Sequence, residues 1–421
     1  MNSYLLKNGW FFMAGVKTVK DILIEDGVIT KIEENIKTTY PIIDCSNLLI
    51  APAFIDPHVH LREPGFPDKE TIATGTKAAL KGGYTTVFAM PNLNPVCDSL
   101  EHLDLEEALI KENAVIEVLP VASITKSQNG KELSDIEELA KRVIAFSDDG
   151  HGFKSKEVAL KAIEAIKKTN RPLLSHVEDI ELVEGGVVAP NEIETLRDYP
   201  TISNRSEYQP LERELNYQLD TKIRYHICHV STKESIDMIR YYKKNNPLLT
   251  CEVTPHHLIL STLDLENDAL FKVNPPIRSL EDVHALREAL KDGTIDMIAT
   301  DHAPHTEEEK KLGFLRAPFG ISGIEVAFSL LYTEIVLKNI IPLDKLLTLM
   351  SDNVSQTFGL PFNHIKLGNV ANLVVIDLET EYRIDRNKFI SKGKNTPFEN
   401  KLVKGEVKKT IFQGSVLWDI K

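Results

Sequence analysis

The sequence predicts an α/β protein: a (β/α)8 TIM-like barrel with a small β-sandwich domain formed by the N- and C-terminal segments. Three observations carry this. Short apolar runs alternate with helix-period segments through the middle of the chain. Residues able to bind a metal recur where those runs end, and in a barrel such positions share the C-terminal mouth. Both chain ends read as β-rich instead, with glycine-split runs of β-branched residues.

Taken in order, residues 1–50 supply the first β segment of the small domain. "DILIEDGVITKIEENI" alternates apolar and polar residues around Asp26-Gly27, a strong hairpin signal. The barrel is expected over 51–364. "YTTVFAM" (84–90) reads as a strand and "SLEHLDLEEALIKEN" as the helix after it. "VIEVLPVAS", a helical "ELAKR" and "VIAFSDDG" follow. "KSKEVALKAIEAIKKTN" is an amphipathic helix with Val158, Ala162 and Ile166 on one stripe. "RPLLSHVED", "IRYHICHVST", "LLTCEVTPHH" and "DMIATDHAPH" are further strands, most with a helical segment behind them. Near-continuous apolar strands of this kind imply a parallel sheet covered by helices. Residues 365–421, with "NVANLVVIDL" and "VKKTIFQGSVLWDI", complete the small domain.

Composition narrows the function. Of 421 residues, 42% are hydrophobic, enough for a sizeable core. The net charge of −13 argues against nucleic acid or an anionic membrane as the main partner. Cys45, Cys97, Cys228 and Cys251 form no CxxC pair, which fits a reducing cytoplasm. The N-terminus lacks the pattern of a secretion signal, and no apolar stretch is long enough for a membrane span.

The chemistry gathers around "DPHVHLREPG" (56–65). On an extended strand, residues i and i+2 share a face. His58 and His60 would then reach one metal, and Arg62, continuing that face, would hold an anion beside it. His176, His229, Asp301 and one of Asp148 and Asp149 also stand at strand ends. Singly, each has an ordinary explanation: Asp148-Asp149-Gly150 reads as a turn or helix cap, and His176 as an interior histidine. In "HICH" only one of His226 and His229 is expected to look into the barrel, and His256-His257 should give at most one group to the mouth. Jointly, four imidazoles and two carboxylates exceed the needs of a single four-coordinate zinc. They suit two metals bridged by a carboxylate and a hydroxide, a hydrolytic arrangement. Zinc is favoured by the imidazole and carboxylate donors. The charged stretch 306–318 is either a solvated loop or a flap over the site.

Taken together, "DPHVHLREPG", "MPNLNP", "FSDDG", "SHVED", "CHVST", "NPPIR", "ATDHAPH" and "PFGISGIE" resemble the bacterial single-function dihydroorotases of the amidohydrolase superfamily. The resemblance implies that His58, His60 and Asp301 bind a first metal, that His176 and His229 bind a second, and that Asp149 bridges them. Two zinc ions per chain are the implied cofactor. Arg62, Asn92 and His305 match positions that hold the substrate carboxylate. Asn274 and the backbone of Phe319 and Gly320 match those that read the ring amides, and His60 also touches the substrate. Asp301 would take a proton from the attacking hydroxide and hand it to the departing ring nitrogen.

The implied activity is reversible interconversion of N-carbamoyl-L-aspartate and dihydroorotate, the third step of pyrimidine synthesis, in the cytoplasm. The implied assembly is a homodimer, with contact to aspartate transcarbamoylase left open. The rivals are a hydantoinase, dihydropyrimidinase or allantoinase, a silent scaffold for a transcarbamoylase, and a plain ligand-binding barrel. Related enzymes that bridge their metals with a carboxylated lysine differ here, because "FSDDG" contains no lysine.

Overall fold

The computed structural model describes residues 3–420. Eight parallel strands follow one another around a single sheet in chain order. They are Phe54–Val59, Tyr84–Ala89, Glu117–Ala122, Ala145–Phe146, Leu173–Ser175, Tyr225–Ile227, Leu249–Val253 and Met297–Ile298. Just beyond the eighth strand, Val59 pairs in parallel with His302, and the His60 N–H donates to the His302 carbonyl at 2.9 Å. That contact draws the last strand towards the first.

Alternation along each strand sorts the core into two layers. Phe88, Val121, Ala145, Leu174 and Met297 pack together with Val354 and Phe358. Their neighbours Val87, Ala122, Phe146, Leu173 and Ile298 pack outward, on the helices. Because both faces are covered, these strands carry no polar side. Most of the helices are delimited by side-chain caps: Thr71, Ser99, Ser155, Thr232 and Ser279 each accept from a first-turn N–H. In Lys156–Thr169 the buried stripe is Ala159, Ala162, Ile163 and Ile166, with Val158 at its edge. The helix expected at "ELAKR" shrinks to the single turn Ile136–Leu139, and Lys141 and Arg142 lie on the surface beyond it.

The terminal segments form two further sheets. One has the order Val28–Glu33, Asp21–Glu25, Tyr4–Lys7, Ile42–Asp44. The other runs Ser415–Asp419, Leu402–Phe412, Leu373–Arg383, Leu49–Pro52, Trp10–Met13, Val16–Val19. Leu6, Ile22 and Ile24 of the first share a core with Phe11, Ile50, Leu373 and Ile411 of the second, so the sheets pack face to face. The hairpin turns where expected, with Asp26 and Gly27 both left-handed (φ 49° and 83°). Leu49–Pro52 pairs with strands from both chain ends. After Ala53 the chain enters the first barrel strand, so this connection fixes the sandwich to the barrel.

Candidate metal centre

The first barrel strand ends at Val59, and His58 and His60 leave it towards the mouth. Asp149 lies among four imidazoles. Its Oδ1 is 3.4 Å from His58 Nε2 and 3.7 Å from both His176 Nδ1 and His229 Nε2; its Oδ2 is 3.6 Å from His60 Nε2. Asp301 Oδ1 lies 3.2 Å from His60 Nε2 and 3.6 Å from His58 Nε2. The donor atoms therefore fall into two groups, His58–His60–Asp149 and Asp149–His176–His229, with Asp149 common to both. Two of these residues hold unfavourable backbone: φ is 33° at His229 and 47° at Asp301. Such strain is a feature of sites where the surroundings over-determine a geometry.

Carboxylates behind the cluster orient the imidazoles. Glu252, fully buried, accepts from His58 Nδ1 at 2.9 Å and from His226 Nε2 at 3.0 Å. Burial pushes its pKa up, but these two hydrogen bonds bring it down to about 2. As an ionised acceptor it fixes the proton on His58 Nδ1 and leaves Nε2 facing the cluster. Glu178 lies 3.5 Å from His176 Nε2, on the side away from Asp149. Neither glutamate stands out in the sequence as a site residue. Glu252 looks like the polar alternate of a strand, and "SHVED" draws attention to its histidine.

Two expectations fail on strand geometry. His226 and His229 were expected to face opposite ways, yet His226 joins His58 through Glu252 while His229 joins Asp149. The strand stops at Ile227, and the left-handed turn at His229 breaks the alternation. Arg62 likewise does not continue the face of His58 and His60. It lies past the strand, with φ 63°, and reaches the site by a turn. Of the neighbouring aspartates, Asp148 is structural. Its carboxylate accepts from the Ile124 and Thr125 N–H groups and from the Thr125 hydroxyl.

The donor set fits divalent cations. His58 Nε2, His60 Nδ1 and Asp149 Oδ1 are buried without a hydrogen-bond partner, and His176 Nδ1 faces His229 Nε2 at 3.0 Å. Burial raises the pKa of Asp149, but His58, His229 and His60 together hold it well below the usual carboxylate range. Asp301 is held low in the same way, by the His60 hydrogen bond and then by the charges of His58 and His60. Both carboxylates are therefore anionic, as cation ligands must be.

Above the cluster lies a cavity of about 230 Å³. Drug-sized sites are typically about 300–1,000 Å³, so this one suits a small molecule. Every expected site residue lines it except His58, which lies beneath. Arg62 Nε donates to the Pro304 carbonyl at 3.2 Å. Burial lowers its pKa to about 10, which leaves it charged. His305 Nε2 donates its one proton to the Phe319 carbonyl at 2.8 Å and lies 3.2 Å from Arg62 Nη2, so the imidazole edge and the guanidinium stand side by side. Burial, then the charges of Arg62 and Lys310, keep His305 neutral. Asn92 donates to the Asp149 carbonyl at 2.8 Å and Asn274 to Glu178 at 2.9 Å; the side-chain oxygens of both are buried and unpartnered. The Gly320 N–H is already engaged by the Lys272 carbonyl at 3.0 Å. The stretch 306–318 begins with one helical turn, Glu307–Lys310. It is tied to the wall by the buried Lys310 ammonium, which donates to the carbonyls of Ala269, Lys272 and Pro318 at 3.1, 3.3 and 2.9 Å.

A parallel barrel with a buried histidine–aspartate cluster at its C-terminal mouth defines an amidohydrolase. The family described as dihydro-orotase-like matches residues 47–235. A dihydroorotase of Fusobacterium nucleatum is 45% identical over 400 residues, 94% of each chain. One of Bacillus cereus is 45% identical over 420 residues, 99% of this chain and 98% of the relative. The chain belongs to the dihydroorotase family. Among solved structures, an L-hydantoinase of Arthrobacter aurescens superposes with a TM-score of 0.89 over 100% of this chain and 96% of its own, at 22% identity, a likeness of fold.

Proposed function

We propose that the chain interconverts N-carbamoyl-L-aspartate and (S)-dihydroorotate, using two zinc ions held by His58, His60, Asp149, His176, His229 and Asp301. The observation that carries this reading is the pairing of Arg62 and His305 on the wall of the cavity that also exposes Asp149 and Asp301. A guanidinium fork beside a polar imidazole edge suits a carboxylate, and the anionic cluster suits hydrolysis of the amide attached to it.

When bound, two divalent cations would polarise the amide oxygen and acidify the attacking water, whose pKa a single zinc lowers from 15.7 to roughly 7. The chain's own groups do the rest. Arg62 and His305 hold the carboxylate, with Asn92 beside them. The unpartnered Asn274 oxygen is free to accept a ring N–H. Asp301, held ionised, takes the proton from the water and returns it to the departing ring nitrogen. The barrel over 51–364 carries this site, and the segments 1–50 and 365–421 form the small domain. Four buried free cysteines support a reducing, cytoplasmic setting.

The test is an assay of gently purified protein on N-carbamoyl-L-aspartate, dihydroorotate and hydantoin, with elemental analysis alongside. Turnover of the first two and a metal content near two ions per chain are expected. Hydantoin turnover without dihydroorotate turnover would overturn the substrate assignment, and full activity without metal would overturn the cofactor.

A second expectation separates the two aspartates. Asp149→Ala should lose both metal and activity. Asp148→Ala should keep its metal in the folded fraction. It leaves two buried backbone donors without an acceptor, so its stability should fall by about 1–3 kcal/mol. Metal loss in Asp148→Ala alone would reverse the assignment. Activity should not respond to bicarbonate, since the bridging carboxylate is an aspartate.

A further inference from the structure

The segment between Leu373–Arg383 and Leu402–Phe412 connects two strands of the terminal sheet, yet it reaches the barrel mouth. Its foot is fixed by two barrel carboxylates. Glu325 accepts from the Ile390 and Ser391 N–H groups at 2.8 and 3.0 Å. Glu70 accepts from the Ser391 hydroxyl and the Lys392 N–H. Gly393 then lies flat on Pro304. A Cβ there would stand 2.4 Å from Pro304 Cβ and 2.6 Å from its Cα.

Two residues on is Asn395, 2% exposed. Its Nδ2 donates to the carbonyls of Ala303 and Gly320, both at 3.0 Å. Its Oδ1 accepts from the His305 N–H at 2.9 Å and from the Ser322 hydroxyl at 2.8 Å. A side-chain amide has two N–H donors and two acceptor lone pairs, and all four are used. Its backbone carbonyl also accepts from the Ser322 N–H at 2.9 Å. Every partner belongs to 303–305 or 320–322, the two loops that bring His305 and Gly320 to the cavity. Asn395 itself does not line that cavity.

We propose that Asn395 is a positioning residue for the substrate carboxylate: it locks the two loops together, so that His305 and the Pro304-bound Arg62 stand at a fixed separation on the cavity wall. The inference rests on the reading that Arg62 and His305 take the carboxylate. Chain order gives the arrangement a further consequence. Asn395 lies 90 residues beyond His305 in sequence, so the terminal segment completes the site.

The test compares Asn395→Ala, Asn395→Asp and Ser322→Ala with Arg62→Ala, reading KM and kcat for dihydroorotate, metal content and Tm. Asn395→Asp keeps the size and both accepting bonds but turns an anion towards the Ala303 and Gly320 carbonyls. Both Asn395 variants are expected to raise KM about tenfold or more, with kcat changed less and metal content unaltered. Ser322→Ala, which removes one of the four bonds, should raise KM by a smaller factor and keeps the test open if Asn395→Ala does not fold. A lowered Tm with wild-type KM in Asn395→Asp and Ser322→Ala would make Asn395 a purely structural clamp and overturn the proposal. If Arg62→Ala also left KM unchanged, the failure would lie in the carboxylate reading itself.

Discussion

Asp301→Asn is expected to bind dihydroorotate and N-carbamoyl-L-aspartate yet turn both over slowly, with a loss on the order of 10²–10⁴-fold. The substitution preserves size and an oxygen that can face the cluster. It removes the ability to accept a proton. In the wild-type protein burial would raise the Asp301 pKa, but the His60 hydrogen bond and the charges of His58 and His60 outweigh it. Asp301 therefore stays anionic well below neutral pH, ready to receive the proton of the attacking water.

The direction of reaction adds a second readout. Ring closure joins a carboxylate to a neutral urea nitrogen, releases water and consumes one proton. The equilibrium should therefore shift towards dihydroorotate as pH falls, by about tenfold per pH unit. The hydrolysis rate should rise with pH and the closure rate should fall. Because the Asp301 pKa is depressed, the hydrolysis limb should not lie in the ordinary carboxylate range; it belongs to the attacking water. Rates in both directions across pH, for wild type and variant, check this. Near-wild-type turnover by Asp301→Asn in either direction would leave Asp301 a ligand only, with His305 the next proton carrier to test.

Much of the site is legible in the sequence because the parallel strands are largely apolar on both faces. A histidine or aspartate at the end of such a run has no solvated strand face to occupy, so His58, His176, His229 and Asp301 stand out at once. Asp149 is harder, since Asp148 precedes it and only the fold shows which carboxylate is absorbed by the Ile124 and Thr125 N–H groups. Alternation misleads where the backbone turns left-handed, at Arg62 and His229. Glu252 escapes notice because a polar residue inside a strand looks like a solvated alternate, when here it is fully buried between His58 and His226. Asn395 leaves no local trace: its partners are 73 to 92 residues away, and no periodicity marks it. The β-rich ends, by contrast, announce themselves through the Asp26-Gly27 turn and the glycine-split terminal strands.

Arg62→Ala is expected to lower kcat/KM for dihydroorotate by roughly 30- to 5,000-fold, the equivalent of about 2–5 kcal/mol for a charged hydrogen-bonding partner removed from a buried anion. Hydrolysis of a cyclic amide without a carboxylate should change much less. Alanine carries the same Cβ as arginine, so the left-handed strain at φ 63° is not relieved by the substitution. The structural loss is the 3.2 Å hydrogen bond from Nε to the Pro304 carbonyl, which solvent at this half-buried position can replace. The effect should therefore appear in substrate recognition, with little change in Tm. Arg62→Lys keeps a charge but not the planar fork, and should fall between wild type and Arg62→Ala. Neutral His305, with its Nε2 proton already directed to Phe319, does not replace a missing cation. Kinetics on dihydroorotate and dihydrouracil, measured side by side on the three proteins, decide the matter. Equal losses on both substrates would mean that Arg62 does not read the carboxylate, and the anion would have to be sought elsewhere on the cavity wall.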